Sequence, residues 1–246
     1  MVDKFDRPQK TAMIVARRII ADISDRGLVP GDRLPPEKVM LEEYNVGRGT
    51  LRESLRFLEL SGAISLKPGP GGGPTVEKPE ASHLMNSLGL LLQFEGAQFA
   101  TIVEARIGLE PLMARLAAER ITADQLVQLE VSLNDMRGSV DDLARFLAAN
   151  RQFHNVIAWA SGNALFGYLI DALDGVFAGA SLGVDYSELA RAKVLEADIA
   201  VFEGIAAGDP TAAELAMRNH VSEWTAFLVK KFPAALARPI TWESML

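Results

Sequence analysis

Two sets of residues in this chain have the types and spacing to do chemistry. Arg48, Arg52 and Arg56 recur at four-residue steps. On a helix that spacing makes a single stripe, because residues three and four apart share a face. Guanidinium groups at helix pitch can meet phosphates and the edges of guanine bases. Glu53 and Glu59 lie on the same segment, so a solvated face with internal ion pairs is the competing reading. The second set is sparse and sits in apolar surroundings: His154 in FLAANRQFHNVIAWASGN, Asp198 in EADIAVFEGI and His220 in AMRNHVSEW. A carboxylate and imidazoles from three helices can hold a divalent metal ion inside a bundle. Spacing alone leaves a core or surface role open for both histidines. Asn150 precedes His154 by four residues and shares its helix face. Arg106 has Glu110 four residues on. It either pairs within its own helix or, buried in an apolar bundle, meets a ligand carboxylate.

The arginine stripe needs a helix with an opposite packing face, and Leu51, Ser54, Leu55 and Leu58 supply one at helical spacing. That helix is expected over about residues 49–60, after a turn at Asn45, Val46 and Gly47. Before it, LVPGDRL is a turn-rich link, and Pro35 or Pro36 can open a short helix over about 36–44, where proline's missing amide hydrogen costs nothing. So short a connection between two helices suits a helix-turn-helix. After it, Gly62 ends the segment, residues 63–66 read as a short strand, and PGPGGGP reverses the chain before Thr75 and Val76 return. A glycine-rich hairpin lets its backbone approach a sugar-phosphate chain closely. A flexible linker has the same composition, but here short apolar strands bracket the glycines.

The run PGDRLPPEKVM, then VGRGTLRESLRFLELSGAI, then the glycines, resembles the winged helix-turn-helix of GntR-type bacterial transcription regulators over about residues 8–78. The resemblance implies a DNA-binding domain over residues 1–78. Its contacts would come from Lys38, from Arg48, Thr50 and Arg52, and from the wing near Gly71, with Arg56 completing the stripe. Gly47 and Gly49 stand where the family often has a serine or threonine able to contact phosphates.

A length of 246 residues suits two domains, and 49% hydrophobic content rules out general disorder. The formal net charge of -7 is unevenly spread. Residues 1–78 hold 13 Lys and Arg against 11 Asp and Glu, leaving 12 against 21 for the remainder. The acidity thus belongs to the second domain, and the stripe acts locally. With no cysteine, disulfides, zinc fingers and thiol nucleophiles are excluded. MVDKFDRPQKTAMIV lacks the apolar core of a secretory signal, and no apolar run reaches the roughly 18 residues of a spanning helix. A cytoplasmic protein without membrane contact is expected.

Residues 79–246 read as helical, with breaks at Gly96, near Thr122, near Gly138, at Gly162, around Gly183 and at residues 208–210. Thr122 and Asp209 are placed to cap helices, as is Asn163. Six or seven helices follow, several apolar on more than one face, as in a bundle with a buried interior. The fold class expected is mainly α, a winged helix-turn-helix with a small β-hairpin wing plus an all-α effector bundle.

EARIGLEPLMARLAAERIT, NRQFHNVIAWASGN and EADIAVFEGIAAGDPTAAELAMRNHV resemble, in that order, the helical FCD ligand-binding domain of FadR-like GntR regulators, across most of residues 80–230. In that family a metal is commonly held by an aspartate four residues before the FH histidine, by that histidine and by two later ones. Here His154 and His220 match, while Asn150 replaces the aspartate and Asp198 the middle histidine. The exchange keeps the ligand count, lowers the nitrogen count and favours harder ions within the zinc, nickel and manganese class. It also leaves open an ion-free Asp198–histidinium pair. In the family an arginine at the place of Arg106 often meets a carboxylate effector, usually a small organic acid. Asn150 is expected at the same effector site, and the altered metal corner and apolar helices leave room for a larger, lipid-like acid. It implies a metabolite-responsive regulator, expected to repress, binding an inverted-repeat operator of double-stranded DNA as a homodimer. A metal-dependent hydrolase built on His154, Asp198 and His220 is the alternative, although no HExxH helix or nucleophile motif accompanies them.

Overall fold

The structure, a computed structural model, describes residues 7–67, 69, 72–179 and 187–242. Its contacts divide the chain into two compact units, Met1–His83 and Leu84–Leu246.

In the first unit, α1 (Arg7–Asp25), α2 (Glu37–Tyr44) and α3 (Arg48–Leu60) precede a hairpin of β1 (Ile64–Lys67) and β2 (Gly73–Val76). Val15, Ala16 and Ile19 of α1 meet Met40 and Tyr44 of α2 and Leu51, Leu55 and Leu58 of α3 in one core, which Ile64 and Val76 close from the hairpin. Ser54 is fully buried on the packing face of α3. Its hydroxyl lies 2.9 Å from the Ala12 carbonyl and 2.8 Å from the Thr50 carbonyl, so its single proton is shared between α1 and its own helix. Pro36 is the N-cap of α2 rather than its first residue. Asn45 ends α2 at φ 50°, a left-handed conformation that asparagine tolerates better than most residues. Gly47, extended at φ -75° and ψ 160°, then starts α3 one residue earlier than expected.

The hairpin is antiparallel, in register from Ile64↔Val76 to Lys67↔Gly73, and Arg33 bridges Thr75 on its other side. A Cβ on Gly72 would lie 2.1 Å from the Lys67 carbonyl oxygen, so the reversal needs glycine there. Gly71 lies outside the described residues.

The second unit contains α4 (Ala81–Phe94, which begins just before the division), α5 (Phe99–Arg120), α6 (Ala123–Arg137), α7 (Leu143–Ala160), α8 (Ala164–Gly179), α9 (Glu188–Ala206), α10 (Pro210–Lys231) and the single turn α11 (Pro233–Leu236). Among the described residues these are seven helices of ordinary length, within the six or seven expected, and α11 adds one turn. Thr122 and Gln125 form a reciprocal capping box at α6. Asp209 accepts from the amides of Thr211 and Ala212 with Pro210 opening α10, and Asn163 accepts from Leu165 at the start of α8. The break expected around Gly183 lies outside the described residues.

Helix α5 packs on α10, α7 and α9, and α6 packs on α7. Between them lies an apolar interior that includes Met113, Leu129, Met136, Phe146, Phe153, Ile157, Val201 and Met217. Among the described residues, no helix is long and apolar enough to cross a membrane.

Candidate functional site

In the first unit Leu51, Leu55 and Leu58 of α3 turn inward, and Arg48, Arg52 and Arg56 on its other side are all exposed. Arg52 Nε lies 3.3 Å from Glu37 Oε1 of α2, and Arg56 Nη1 lies 2.6 Å from Glu59 Oε2 one turn on. The expected internal pairing therefore exists for Arg56, whereas Arg52 reaches the neighbouring helix instead of Glu53. Arg48 and Lys38 are exposed and make no ion pair among the described residues. Thr50 is half-buried in the first turn. Gly47 offers no side chain to cap that turn, which leaves its backbone N–H groups available to an anion.

In the second unit, α7, α9 and α10 bring His154, Asp198 and His220 together. One ligand atom from each lies within 4.8 Å of the other two, and all three residues are buried. His154 Nε2 stands 3.4 Å from His220 Nε2, and Asp198 Oδ1 stands 3.2 Å from His220 Nε2 and 4.0 Å from His154 Nε2. Donors about 2.1 Å from one ion stand about 3.0–3.4 Å apart as neighbours. The first two separations match that spacing, and the third needs a shift of about half an ångström. Asp198 Oδ2 has no hydrogen bond among the described residues, and Oδ1 has only the two histidine ring nitrogens near it. A buried acceptor without a partner is costly unless a cation or donor meets it, so the residues fit a divalent ion.

Glu110 of α5 completes the arrangement, with Oε2 2.6 Å from His154 Nδ1. A carboxylate at one ring nitrogen orients the imidazole and directs the other nitrogen into the cluster. Arg106, one turn earlier, pairs with Glu110, and its Nη1 lies 3.1 Å from Asp174 Oδ1 of α8. Glu110 and Asp174 are both buried carboxylates. Asn150 sits half-buried one turn before His154, its side-chain oxygen buried without a hydrogen bond among the described residues.

The charges respond accordingly. Burial alone would raise Glu110, but the Arg106 guanidinium and His154 outweigh it and hold its carboxyl well below the usual range. Burial would lower His154, and Glu110 reverses this so that the imidazole is pushed up. For His220 burial prevails over Asp198 and pushes it down. Asp198 and Asp174 are both pushed up by burial.

Sequence reasoning weighed Glu110 only as a partner for Arg106 and passed over Asp174. The available signal was the pair of aspartates, Asp171 and Asp174, in ALFGYLIDALDGVFAG, an otherwise apolar helix where a buried carboxylate must be paired or functional.

A winged helix-turn-helix with an outward arginine stripe, in one chain with a bundle enclosing a polar cluster, defines a DNA-binding regulator with a sensing domain. Residues 11–72 match the bacterial regulatory proteins of the gntR family, and residues 101–223 match the FCD domain. The chain belongs to the GntR family and carries an FCD domain. It is 28% identical over 232 residues to the HTH-type transcriptional repressor NanR of Cronobacter sakazakii, covering 91% of this chain and 88% of that one. It is 29% identical to the HTH-type transcriptional regulator YcbG of Bacillus subtilis, covering 89% and 90%. A GntR structure from Streptococcus agalactiae superposes with a TM-score of 0.71 at 27% identity, covering 88% of this chain and 99% of that one. The chain is a metabolite-responsive transcription regulator and not an enzyme, so the hydrolase alternative falls.

Proposed function

We propose that the protein is a cytoplasmic repressor that binds an inverted-repeat operator as a homodimer. Its affinity for DNA changes when a small carboxylate-type effector enters the helical bundle beside a divalent metal ion. The observation that carries this reading is the convergence of His154, Asp198 and His220 in a buried cluster where Asp198 Oδ2 has no hydrogen bond among the described residues. These three residues would hold the ion, which when bound would supply open coordination positions for an acid. Glu110 orients His154, and Asn150 offers a neutral oxygen one turn away.

Arg106 is a second cation of the bundle that an acid could meet, but Glu110 and Asp174 already pair with it. An incoming carboxylate at Arg106 would have to compete with Asp174. At the output end, Lys38, Arg48, Thr50, Arg52 and Arg56 present contacts for phosphates and bases, with the wing beside them. The effector acts by population shift, binding one arrangement of the dimer better than the other. The repressor sense follows the name of the NanR relatives.

The test is metal titration of chelator-stripped protein followed by thermal unfolding. Manganese, nickel or zinc should raise the midpoint, because only a native-state site yields such a shift. Asp198→Ala should remove the gain. If no ion stabilises the protein, or Asp198→Ala responds as fully, the cluster is not a metal centre. Footprinting should show two half-sites about 34–36 Å apart, or a multiple of that, if the dimer reading holds.

A further inference from the structure

A second polar site lies on another side of α7. Gln152, Asn155 and Trp159 recur at steps of three and four along that helix, which puts them on one face. His154 is two residues from Gln152, about 200° around the axis. With Gln125 and Gln128 of α6 and Asp171 of α8, this face lines a cleft of about 280 Å³. That volume is just below the usual range for drug-sized ligands, about 300–1,000 Å³, and suits one small ring.

The lining narrows the chemistry. It contains no lysine or arginine, so nothing there favours an anion. Its single carboxylate, Asp171, already accepts a hydrogen bond from the Trp159 indole at 3.2 Å through Oδ2, which makes a poor cation site. Four primary amides each offer a donor and an acceptor, the complement of a hydroxyl group, which is also both. Gln125 uses its oxygen in the capping box of α6 and keeps its amide hydrogens. Asn155 Oδ1 is buried and makes no hydrogen bond among the described residues. Trp159 adds an apolar surface for C–H groups.

The indole is also held in advance. A Cβ on Gly167 would lie 2.4 Å from the Trp159 ring, so α8 passes directly against it. The Tyr168 ring meets it edge-on at a centroid distance of 5.0 Å. Groups fixed before binding lose little freedom on binding.

We propose that this cleft binds a neutral polyhydroxylated compound the size of one sugar ring, at a site separate from the His154 cluster. The test follows the three tryptophan indole N–H signals of the full-length, nitrogen-15-labelled protein by NMR, with Trp159→Phe assigning the Trp159 peak. Glucose, galactose, N-acetylglucosamine and inositol are the probes. At least one should shift the Trp159 signal saturably in the millimolar range. Gln152→Leu changes an exposed side chain and should weaken that titration about tenfold, as loss of one or two hydrogen bonds would, with the other indole signals unmoved. The proposal is overturned if no probe moves the Trp159 signal at tens of millimolar, or if Gln152→Leu binds as tightly as the parent.

Discussion

The face of α3 and the interior between α5, α7, α8, α9 and α10 use the same kinds of side chain in opposite energetic states. Arg52 and Arg56 pair with Glu37 and Glu59 in water, where such pairs contribute about 0–1 kcal/mol. A phosphate can therefore replace either glutamate at little cost, and the stripe stays available for DNA. Arg106 is held by two buried carboxylates, where removing one partner strands the others out of water. Exposed charge is exchangeable, whereas buried charge is structural until a ligand of matching charge arrives. An output surface and a sensing interior need those respective properties.

The comparison breaks most directly at the two arginines. Arg106→Leu should destabilise the protein by about 3–5 kcal/mol, because Glu110 and Asp174 lose their shared cation, read by denaturant unfolding. Arg52→Ala should stay within about 0.5 kcal/mol in the same measurement. Equal costs for the two would erase the distinction between the regions.

The second expected effect concerns Glu110. Glu110→Gln keeps the shape but removes the charge that orients His154, so it should weaken metal binding about 10–100-fold without abolishing it. Calorimetric titration with manganese or zinc checks this. An unchanged affinity would reduce Glu110 to a partner of Arg106 alone.

At the DNA end, Arg52→Ala should lower the slope of log affinity against log salt by about 0.9 if the residue meets a phosphate. It should cost about 1–3 kcal/mol and relax specificity at one position if it meets a base. Operator titrations at several salt concentrations separate these outcomes. No change in either quantity would remove Arg52 from the interface.

The two regions were unequally legible in the sequence. The α2–turn–α3 hairpin could be read because its signals are local: Pro36, Asn45, Gly47 and the leucine spacing all act within a turn or two of where they stand. Thr122 and Asp209 announced their helices for the same reason. The His154–Asp198–His220 convergence spans three helices, and the residues alone left it open; the family resemblance singled it out. Asp174 escaped notice because its partner Arg106 lies on another helix, and nothing near it in the chain indicates Arg106. The cleft at Trp159 was missed in the same way, since Gln125, Gln152 and Asp171 become neighbours only when α6, α7 and α8 pack.

The smallest effect expected tests whether the DNA-binding unit has any buried titrating group of its own. Tyr44 is buried in α2, donates to Asp22 Oδ2 at 2.6 Å and has the Arg18 guanidinium over its ring. Burial, and then the bond to the Asp22 carboxylate, push its phenol well above the ordinary range. A raised folded value means that the stability it contributes is fully present below about pH 10, the unfolded value. That stability drains away as pH rises from there through the folded value. Tyr44→Phe should cost about 1 kcal/mol at neutral pH, the net worth of one hydrogen bond, and should flatten the alkaline decline of the N-terminal unit. The loss should be confined to amides of α1, α2 and α3, the helices that Tyr44 packs with, in hydrogen exchange at high pH. An equal alkaline loss of protection in α5 and α7 would mean that the two units do not unfold separately and that their contrast in charge does not extend to stability.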